Sequence, residues 1–515
     1  MALNDISFVK GAGGLGRALP GEDHYSGMLF FNSTYPSGFS ASAQVKAITS
    51  LAAAEALGIT NDFSDETKAA AAITLTAVGS NGDTITISIA EPLPAGGTKS
   101  VVVATYAKTS ADTTPALLAT SIAAAINGNT TAGYTASAAA AVVTITARPG
   151  LGIYLNTATT PLSITFTGTM AGNISTLFGS AVLPGVLGVA SKKAPMHYHI
   201  SEFFRVAPQG ILYVGIFPGP PTTYAELATM QNYAEGKIRQ FGVYRDTTYT
   251  VGELTSIQAV CAALDAEHKP VSSVLYAADM KAVTDLTTLS SLATRADSKC
   301  SVVISQDGGG RGAMLYHATG KSITNLGAAL GAVALAKVSE SIAWINKFNI
   351  SSGIECETLA FANGKQYSTV DSNTLNVLNN YRYMFLRKFV GISGSYFNDS
   401  HTAVTPASDY AYVENNRTID KAIRGVYATL LPDLNGPLVM NNDGTLNDNT
   451  IAALQADARP NLDQMVRDGE ISAYAVTIDP AQNVLSTSKL VIAIKLVGVG
   501  VARNITVNIG YTISL

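Results

Sequence analysis

The run ILYVGIF (211–217), a segment of helical pattern over 224–235, IRQFGVYR (238–245), ELTSIQAVCAALDAEH (253–268) and VSSVLYAA (271–278) follow one another with short joins. Apolar runs too short for helices alternate with amphipathic stretches of helical length. That order predicts a largely parallel sheet covered by helices. The alternation continues through a helix over VTDLTTLSSLATRA (283–296), a strand at SVVIS (301–305) and a Gly/Ala-rich helix over 322–346.

Upstream, SAQVKAITSLAAAEAL (42–57) has apolar residues at helical spacing and stops at Gly58, a suitable C-cap. The first residues read differently. ISFVK (6–10), the cluster GAGGLGR (11–17) and GMLFF (27–31) form two short strands about a glycine hinge, so residues 1–31 read as an arm. At about Thr67 the composition turns rich in Ala and Thr. ITLTAVGSNGDTITISI (73–89) alternates with period two on both sides of SNGD, which predicts a β-hairpin. In TTPALLATSIAAAINGN (113–129), Thr114 suits an N-cap, Pro115 the first helical position and Gly128 the end. AVVTITARPGLG (141–152) and LSITFTGTM (162–170) add two strands, so residues 67–178 read as a β-rich module inserted into the surrounding domain.

Downstream, a helix near 374–389 leads to GISGSYFND (391–399), and NRTIDKAIRGVYATLL (416–431) is a strongly amphipathic helix. GPLVMNNDGTL (436–446) predicts a hairpin turning at Asp443-Gly444. A helix then starts at Asn447 or Asp448 and is kinked or divided by Pro460. ISAYAVTID (471–479), SKLVIAIKLVGVG (488–500) and NITVNIGYTISL (504–515) are three closing strands. A strand at the end of a chain pairs with another chain as readily as with its own.

Composition narrows the function classes. Only 14% of the 515 residues are charged, against roughly 25% in an ordinary domain. Hydrophobic residues make up 47% and the mean hydropathy is +0.22, which excludes global disorder. The length implies about three to five domains. LGAALGAVALAKV (326–338) and LVIAIKLVGVGVA (490–502) fall short of the ~18 to 20 apolar residues of a membrane span, so no membrane insertion is expected. No secretion signal opens the chain, which predicts assembly in a cytoplasm. A net charge of −4 offers no field for phosphate backbones, so no nucleic-acid partner is expected. Cys261, Cys300 and Cys356 are too scattered for a disulfide framework or zinc site and read as buried apolar groups. Weak charge also fits a surface covered by other subunits.

Gly11, Gly13 and Gly16 satisfy G-x-G-x-x-G, but RALPG follows where a helix should hold pyrophosphate, so a hinge is the better reading. DGGGRG (307–312) follows a strand yet lacks the Gly-Lys-Ser/Thr of a phosphate loop and reads as a turn. His197 and His199 would share one face of a strand, with no third metal ligand nearby; Glu202, Phe203 and Phe204 read as anchoring and packing residues. No nucleophile-base arrangement is present, so no catalytic, cofactor or metal residues are assigned. Arg417, Lys421 and Arg424 recur at i, i+4 and i+7 beside Ile419, Ile423 and Val426. This basic stripe reads either as a solvated face or as a docking stripe for an acidic partner.

YHISEFFR (198–205), SVVISQDGGG (301–310), SESIAWINKFNIS (339–351), FANG (361–364) and NNRTIDKAIRGVYATLLP (415–432) together resemble the contractile tail sheath proteins of bacteriophages and phage-like injection systems, in particular those of Bacteroidetes phages and prophages. The resemblance covers the chain apart from 67–178. It implies an α/β and α+β multidomain fold with a helix-covered mixed sheet, an inserted β-rich domain, and terminal arm strands that pair with neighbouring subunits. The parts would be an arm over 1–31, a middle domain over 32–66 and 179–370, an outer domain over 67–178, a core domain over 371–502 and an arm strand over 503–515.

The resemblance further implies a structural subunit that stacks in rings, sixfold by analogy, around an inner tail tube, and contracts to drive that tube through a bacterial envelope. Baseplate and tail terminator proteins would be further partners, in a virion tail or phage-like particle assembled in the host cytoplasm. No cofactor is implied. Ile6, Phe8 and Val9, with Ile505, Val507, Ile509, Tyr511 and Ile513, would be the shared arm strands, and Arg417, Lys421 and Arg424 would face the tube. Two other readings are an adhesin whose 67–178 module binds glycans, and a nucleotide-binding α/β enzyme using 211–350.

Overall fold

A computed structural model of the chain describes residues 21–93, 97–155, 161–178, 189–219 and 221–512. The alternating segments build a six-stranded sheet in the order Cys300–Val302, Ser273–Asp279, Gln240–Thr248, Ser26–Phe31, Leu212–Phe217, Val45–Ile48. All neighbours are parallel except the last pair, where Val45–Ile48 runs antiparallel to Leu212–Phe217.

GMLFF is therefore no arm strand. It lies between Leu212–Phe217 and Gln240–Thr248 with every residue of Ser26–Phe31 buried. Met28 and Phe30 face a core shared with helices Lys193–Val206 and Leu326–Leu335; Leu29 and Phe31 face the other core, with helices Ala225–Tyr233 and Glu253–Ala266. A strand covered on both sides needs apolar residues at every position, which removes the alternation that marks a half-exposed strand.

Two helices predicted at full length are shorter. VTDLTTLSSLATRA forms two 3₁₀ turns, Leu286–Thr288 and Leu292–Thr294, because the Asp285 and Ser291 side chains accept from the amides two residues on. The Gly/Ala helix closes at Leu335. Ala336 turns extended, and its carbonyl accepts from Arg417. SAQVKAITSLAAAEAL divides into strand Val45–Ile48 and helix Leu51–Ala56, whose cap is Ser50. The segment over 374–389 divides likewise into helix Ser372–Asn380 and strand Leu386–Phe389, which pairs with Ile392–Phe397.

The Ala/Thr-rich module has its own apolar core. ITLTAVGSNGDTITISI does not fold back as a hairpin. Ala70–Val78 joins a four-stranded sheet with Thr135–Ala139, Val142–Thr146 and Met170–Thr176, while Thr84–Pro92 crosses to a three-stranded sheet with Thr98–Ala107 and Leu162–Phe166. Helix Pro115–Gly128 packs on these strands and starts as predicted, with the Thr114 hydroxyl accepting from Leu117 N and Pro115 in the first turn. Buried Glu91 is held by Arg148 through two bonds of 2.8 and 2.7 Å and by Tyr134 at 2.8 Å.

In the carboxy-terminal part, helix Val413–Leu430 packs with Asp448–Ala458 and Pro460–Arg467. Pro460 divides these last two as expected from its missing N–H. The predicted hairpin over 436–446 reduces to one bridge, Met440 with Leu446, around Gly444 at φ 84°. Ile471–Ile478 and Ile492–Gly498 form an antiparallel pair whose inner face packs on these helices.

Candidate assembly site

The pair Ile471–Ile478 and Ile492–Gly498 alternates because one face is buried. Ile471, Val476, Ile492, Ile494 and Leu496 point to the helices, while Ala473, Ala475, Thr477, Ala493, Lys495 and Val497 point to solvent. It is a sheet of two strands, so each strand keeps one outer edge, and among the described residues neither edge meets a further strand. Such edges are templates for pairing with another chain.

The chain then leaves this sheet. Residues 499–511 lie in no helix or strand. Ile505 and Ile509 are 80% and 91% exposed, and Val507 and Tyr511 are exposed with them. Apolar side chains at every second position, all in water, form a strand pattern without the sheet it requires. Ile513 lies outside the described residues, as do Ile6, Phe8 and Val9.

One residue fixes the start of this segment. Arg503 Nε donates to both oxygens of Asp399, at 3.1 and 2.9 Å, and its Nη2 donates to Glu414. The guanidinium stacks over Tyr412, 3.4 Å from the ring centroid. Burial disfavours the charged guanidinium, but Asp399 and Glu414 outweigh it and raise its pKa. Glu414 is itself buried, which raises its carboxyl pKa against the pull of Arg503, and Ser400 Oγ donates to it at 2.5 Å. Arg503 and Asn504 also line an open cleft of about 1700 Å³ whose walls include Trp344, Phe389 and Tyr412. Composition and periodicity did not mark Arg503, because its carboxylates lie 104 and 89 positions away.

The basic stripe is not an open docking face. Arg417 is only 2% exposed and donates to the carbonyls of Ala336, Lys337 and Asp23, each at 3.1 or 3.2 Å. Lys421 Nζ lies 2.8 Å from Asp23 and 2.6 Å from Glu470, and Arg424 lies 2.8 Å from Asp23. The three cations turn inward because Asp23, just before the central strand, reaches them, with its carboxylate on Lys421 and Arg424 and its backbone carbonyl on Arg417. Helical periodicity locates the stripe but cannot reveal a counter-ion nearly 400 residues away in sequence.

The other motifs are packed into the interior or lie outside the described residues. MHYHISEFF is helical, within Lys193–Val206, so His197 and His199 point in different directions instead of sharing a strand face. His197 Nε2 bonds to Glu55 at 2.8 Å and its Nδ1 to Arg311 at 2.9 Å, while burial lowers its pKa. His199 is fully buried between Phe30 and Tyr244, and burial lowers its pKa to about 3. Glu202 is buried and paired with Arg205 at 2.5 Å, and Phe203 and Phe204 are core residues, as their pattern implied. Among the described residues no group of three His, Cys, Asp or Glu side chains could hold a metal.

DGGGRG ends strand Ser305–Asp307 and opens helix Arg311–Thr319. The amides that a phosphate would need are taken: Gly309 and Gly312 donate to Asp307 at 3.3 and 3.1 Å, and Arg311 donates to Glu355 at 3.2 Å. The other glycine motif, Gly11, Gly13 and Gly16, lies outside the described residues. All three cysteines are free and buried. No described helix is long and apolar enough to cross a membrane.

Two family models match the sequence, DUF2586, N-terminal domain, over residues 3–401 and DUF2586, C-terminal domain, over 409–515. No curated protein matches it. Among solved structures, the chain is similar to the contracted helical sheath of the anti-feeding prophage, at 15% identity and TM-score 0.43, over 66% of this chain and 84% of that one. It is also similar to a chain of the contracted PVC sheath complex of an extracellular contractile injection system, at 13% identity and TM-score 0.42, over 62% and 81% of the two chains. A chain of the sixfold-symmetrised anti-feeding prophage baseplate matches at 15% identity and TM-score 0.41, over 65% and 85%.

Proposed function

We infer that this chain, which belongs to the DUF2586 family, is a structural subunit of a contractile tail sheath, of the kind its sequence strings resemble. The observation that carries the reading is the exposed apolar run from Ile505 to Tyr511. Ile505, Val507, Ile509 and Tyr511 are exposed, and among the described residues the two-stranded sheet that precedes them has two open edges. One copy thus presents both halves of a strand-addition joint, a donor and an acceptor. A heterologous joint of that kind propagates from copy to copy into rings or helices.

In the polymer, residues 503–515 pair with a neighbour, and 1–20, with Ile6, Phe8 and Val9, supply the second shared strand. Rings, sixfold by resemblance, stack around an inner tube between a baseplate and a terminator, and shortening of the stack drives the tube through an envelope. The particle is a virion tail or a phage-like injection machine of Bacteroidetes type, assembled in the host cytoplasm. The work of contraction is stored in the assembled state, so the subunit needs no nucleotide. That agrees with the carboxylate-filled helix start at Arg311. Contact with the tube falls to other residues than Arg417, which is buried on backbone carbonyls, and Lys421 and Arg424, which are paired with Asp23.

The test is a chain ending at residue 504, which keeps Arg503 on Asp399 and Glu414 and lacks the exposed run. It should remain a folded monomer and form no polymer in negative-stain images, while the full chain forms tubes or rings. Long tubes from the shortened chain would sink the shared-strand reading.

A further inference from the structure

Glu414, Arg417, Lys421 and Arg424 stand at i, i+3, i+7 and i+10 of helix Val413–Leu430, so they form one stripe about 15 Å long. That stripe holds the chain near both of its ends. At the start of the helix, Glu414 receives the guanidinium of Arg503, which Asp399 and the Tyr412 ring also grip. Two turns further on, the Asp23 carboxylate is shared between Lys421 and Arg424, each at 2.8 Å. Arg417 lies between the two grips. It reaches the Asp23 carbonyl with one terminal nitrogen and the Ala336 and Lys337 carbonyls with the other.

We propose that helix Val413–Leu430 couples the two arms mechanically, with Asp23 and Arg503 as the positioning residues of the amino- and carboxy-terminal segments. The inference rests on the arm reading above. Each root carries the charge opposite to its socket: a carboxylate in a cationic socket at the amino-terminal side, a guanidinium in an anionic socket at the carboxy-terminal side. The sockets share one rigid helix, and Glu414 and Arg417 are buried. Withdrawing Arg503 leaves buried Glu414 without its cation, and withdrawing Asp23 leaves Arg424 without its carboxylate while Lys421 keeps Glu470 at 2.6 Å; stranding such charges costs more than loosening a surface ion pair. Displacement of one root therefore moves the helix, and with it the socket of the other.

Burial works against ionisation of Asp23, but Lys421, Arg424 and Arg417 outweigh it and hold its pKa below the ordinary value. The socket thus stays charged at neutral pH. Among the described residues of the amino-terminal root, Asp23 alone brings a charge to the stripe; Glu22 pairs instead with Arg239.

The test is hydrogen exchange, read by mass spectrometry on soluble full-length subunits, for Arg503→Gln and Asp23→Asn. Coupling predicts that each substitution raises exchange about threefold or more at both grips, residues 22–26 and the Arg503 socket over 400–413, whose amides are hydrogen-bonded, while strand Ser273–Asp279 is unchanged. A rise confined to the substituted grip overturns the proposal. Should Arg503→Gln also loosen Ser273–Asp279, the chain has unfolded, and Arg503→Lys, which keeps the charge but not the fork, carries the same comparison. The exchange result decides the coupling even for a chain that forms no polymer, whereas absence of polymer from the unsubstituted chain overturns the arm reading alone.

Discussion

Thr67 and Val189 exchange two backbone hydrogen bonds, of 3.2 and 2.7 Å, in an antiparallel bridge. Beside them, the Asp65 carboxylate accepts from Ser191 Oγ and from the amides of Lys192 and Lys193, which open the Lys193–Val206 helix. The β-rich module leaves and re-enters the chain through this one point. Replacing residues 68–188 by a short Gly/Ser turn should leave the six-stranded sheet folded, because the module keeps its own core and the neck is closed by residues outside it. Circular dichroism and a cooperative denaturant transition of the shortened chain check this; loss of the transition would place the module inside the core.

The two alternating sets of the terminal segment should differ in effect. Ile505→Asp or Ile509→Asp should abolish polymer formation without changing monomer stability by more than about 0.5 kcal/mol, since both side chains already stand in water. Thr506→Ser should assemble normally. Sedimentation and negative-stain imaging separate the outcomes.

His199 should dominate part of the acid limb of stability. Burial lowers its pKa from 6.5 to about 3, so below pH 6.5 the unfolded chain binds a proton that the folded chain refuses. A base with a depressed folded pKa contributes stability above pH 6.5 and loses it as pH falls. At pH 4.5 the loss is about 2 to 3 kcal/mol. His401, lowered by burial to about 4, adds in the same direction. Urea midpoints of His199→Phe between pH 7 and 4.5 should fall less than those of the unsubstituted chain. Parallel curves would exclude this residue as the cause.

Gly327 is placed by close approach. A Cβ there would come within 2.0 Å of the His199 carbonyl oxygen, where helices Lys193–Val206 and Leu326–Leu335 cross. Gly327→Ala should cost about 3 kcal/mol, the upper end for overpacking, since backbone and not a movable side chain is in the way. Gly128→Ala, with nothing within 4 Å, should be neutral or stabilising by up to about 1 kcal/mol. Thermal unfolding of the two variants makes the comparison.

Local chemistry was legible wherever one residue decides it. Thr114 and Pro115 marked a helix start, Pro460 a helix boundary, and the alternation of 471–500 a half-buried pair of strands. Long-range partners were not. GMLFF reads as an arm strand because the glycine cluster before it looks like a hinge, and MHYHISEFF as a strand because two histidines two apart would share a face. ITLTAVGSNGDTITISI has the pattern of a hairpin, since local pattern cannot tell strands that pair from strands that part into two sheets. The 417–424 stripe was legible as periodicity, but whether it meets solvent depended on Asp23, which no window around the helix contains.

The exposed segment after residue 499 also bears on how long a lone subunit survives. Proteases bind their substrates as unpaired chain, and a run such as Ile505 to Tyr511 offers that with apolar side chains attached. On the shared-strand reading, a copy paired with its neighbours withdraws the same run from cleavage. Clipping near the tail is then a clock that runs only on unassembled material, and the intact fraction in a cell measures how promptly subunits are used.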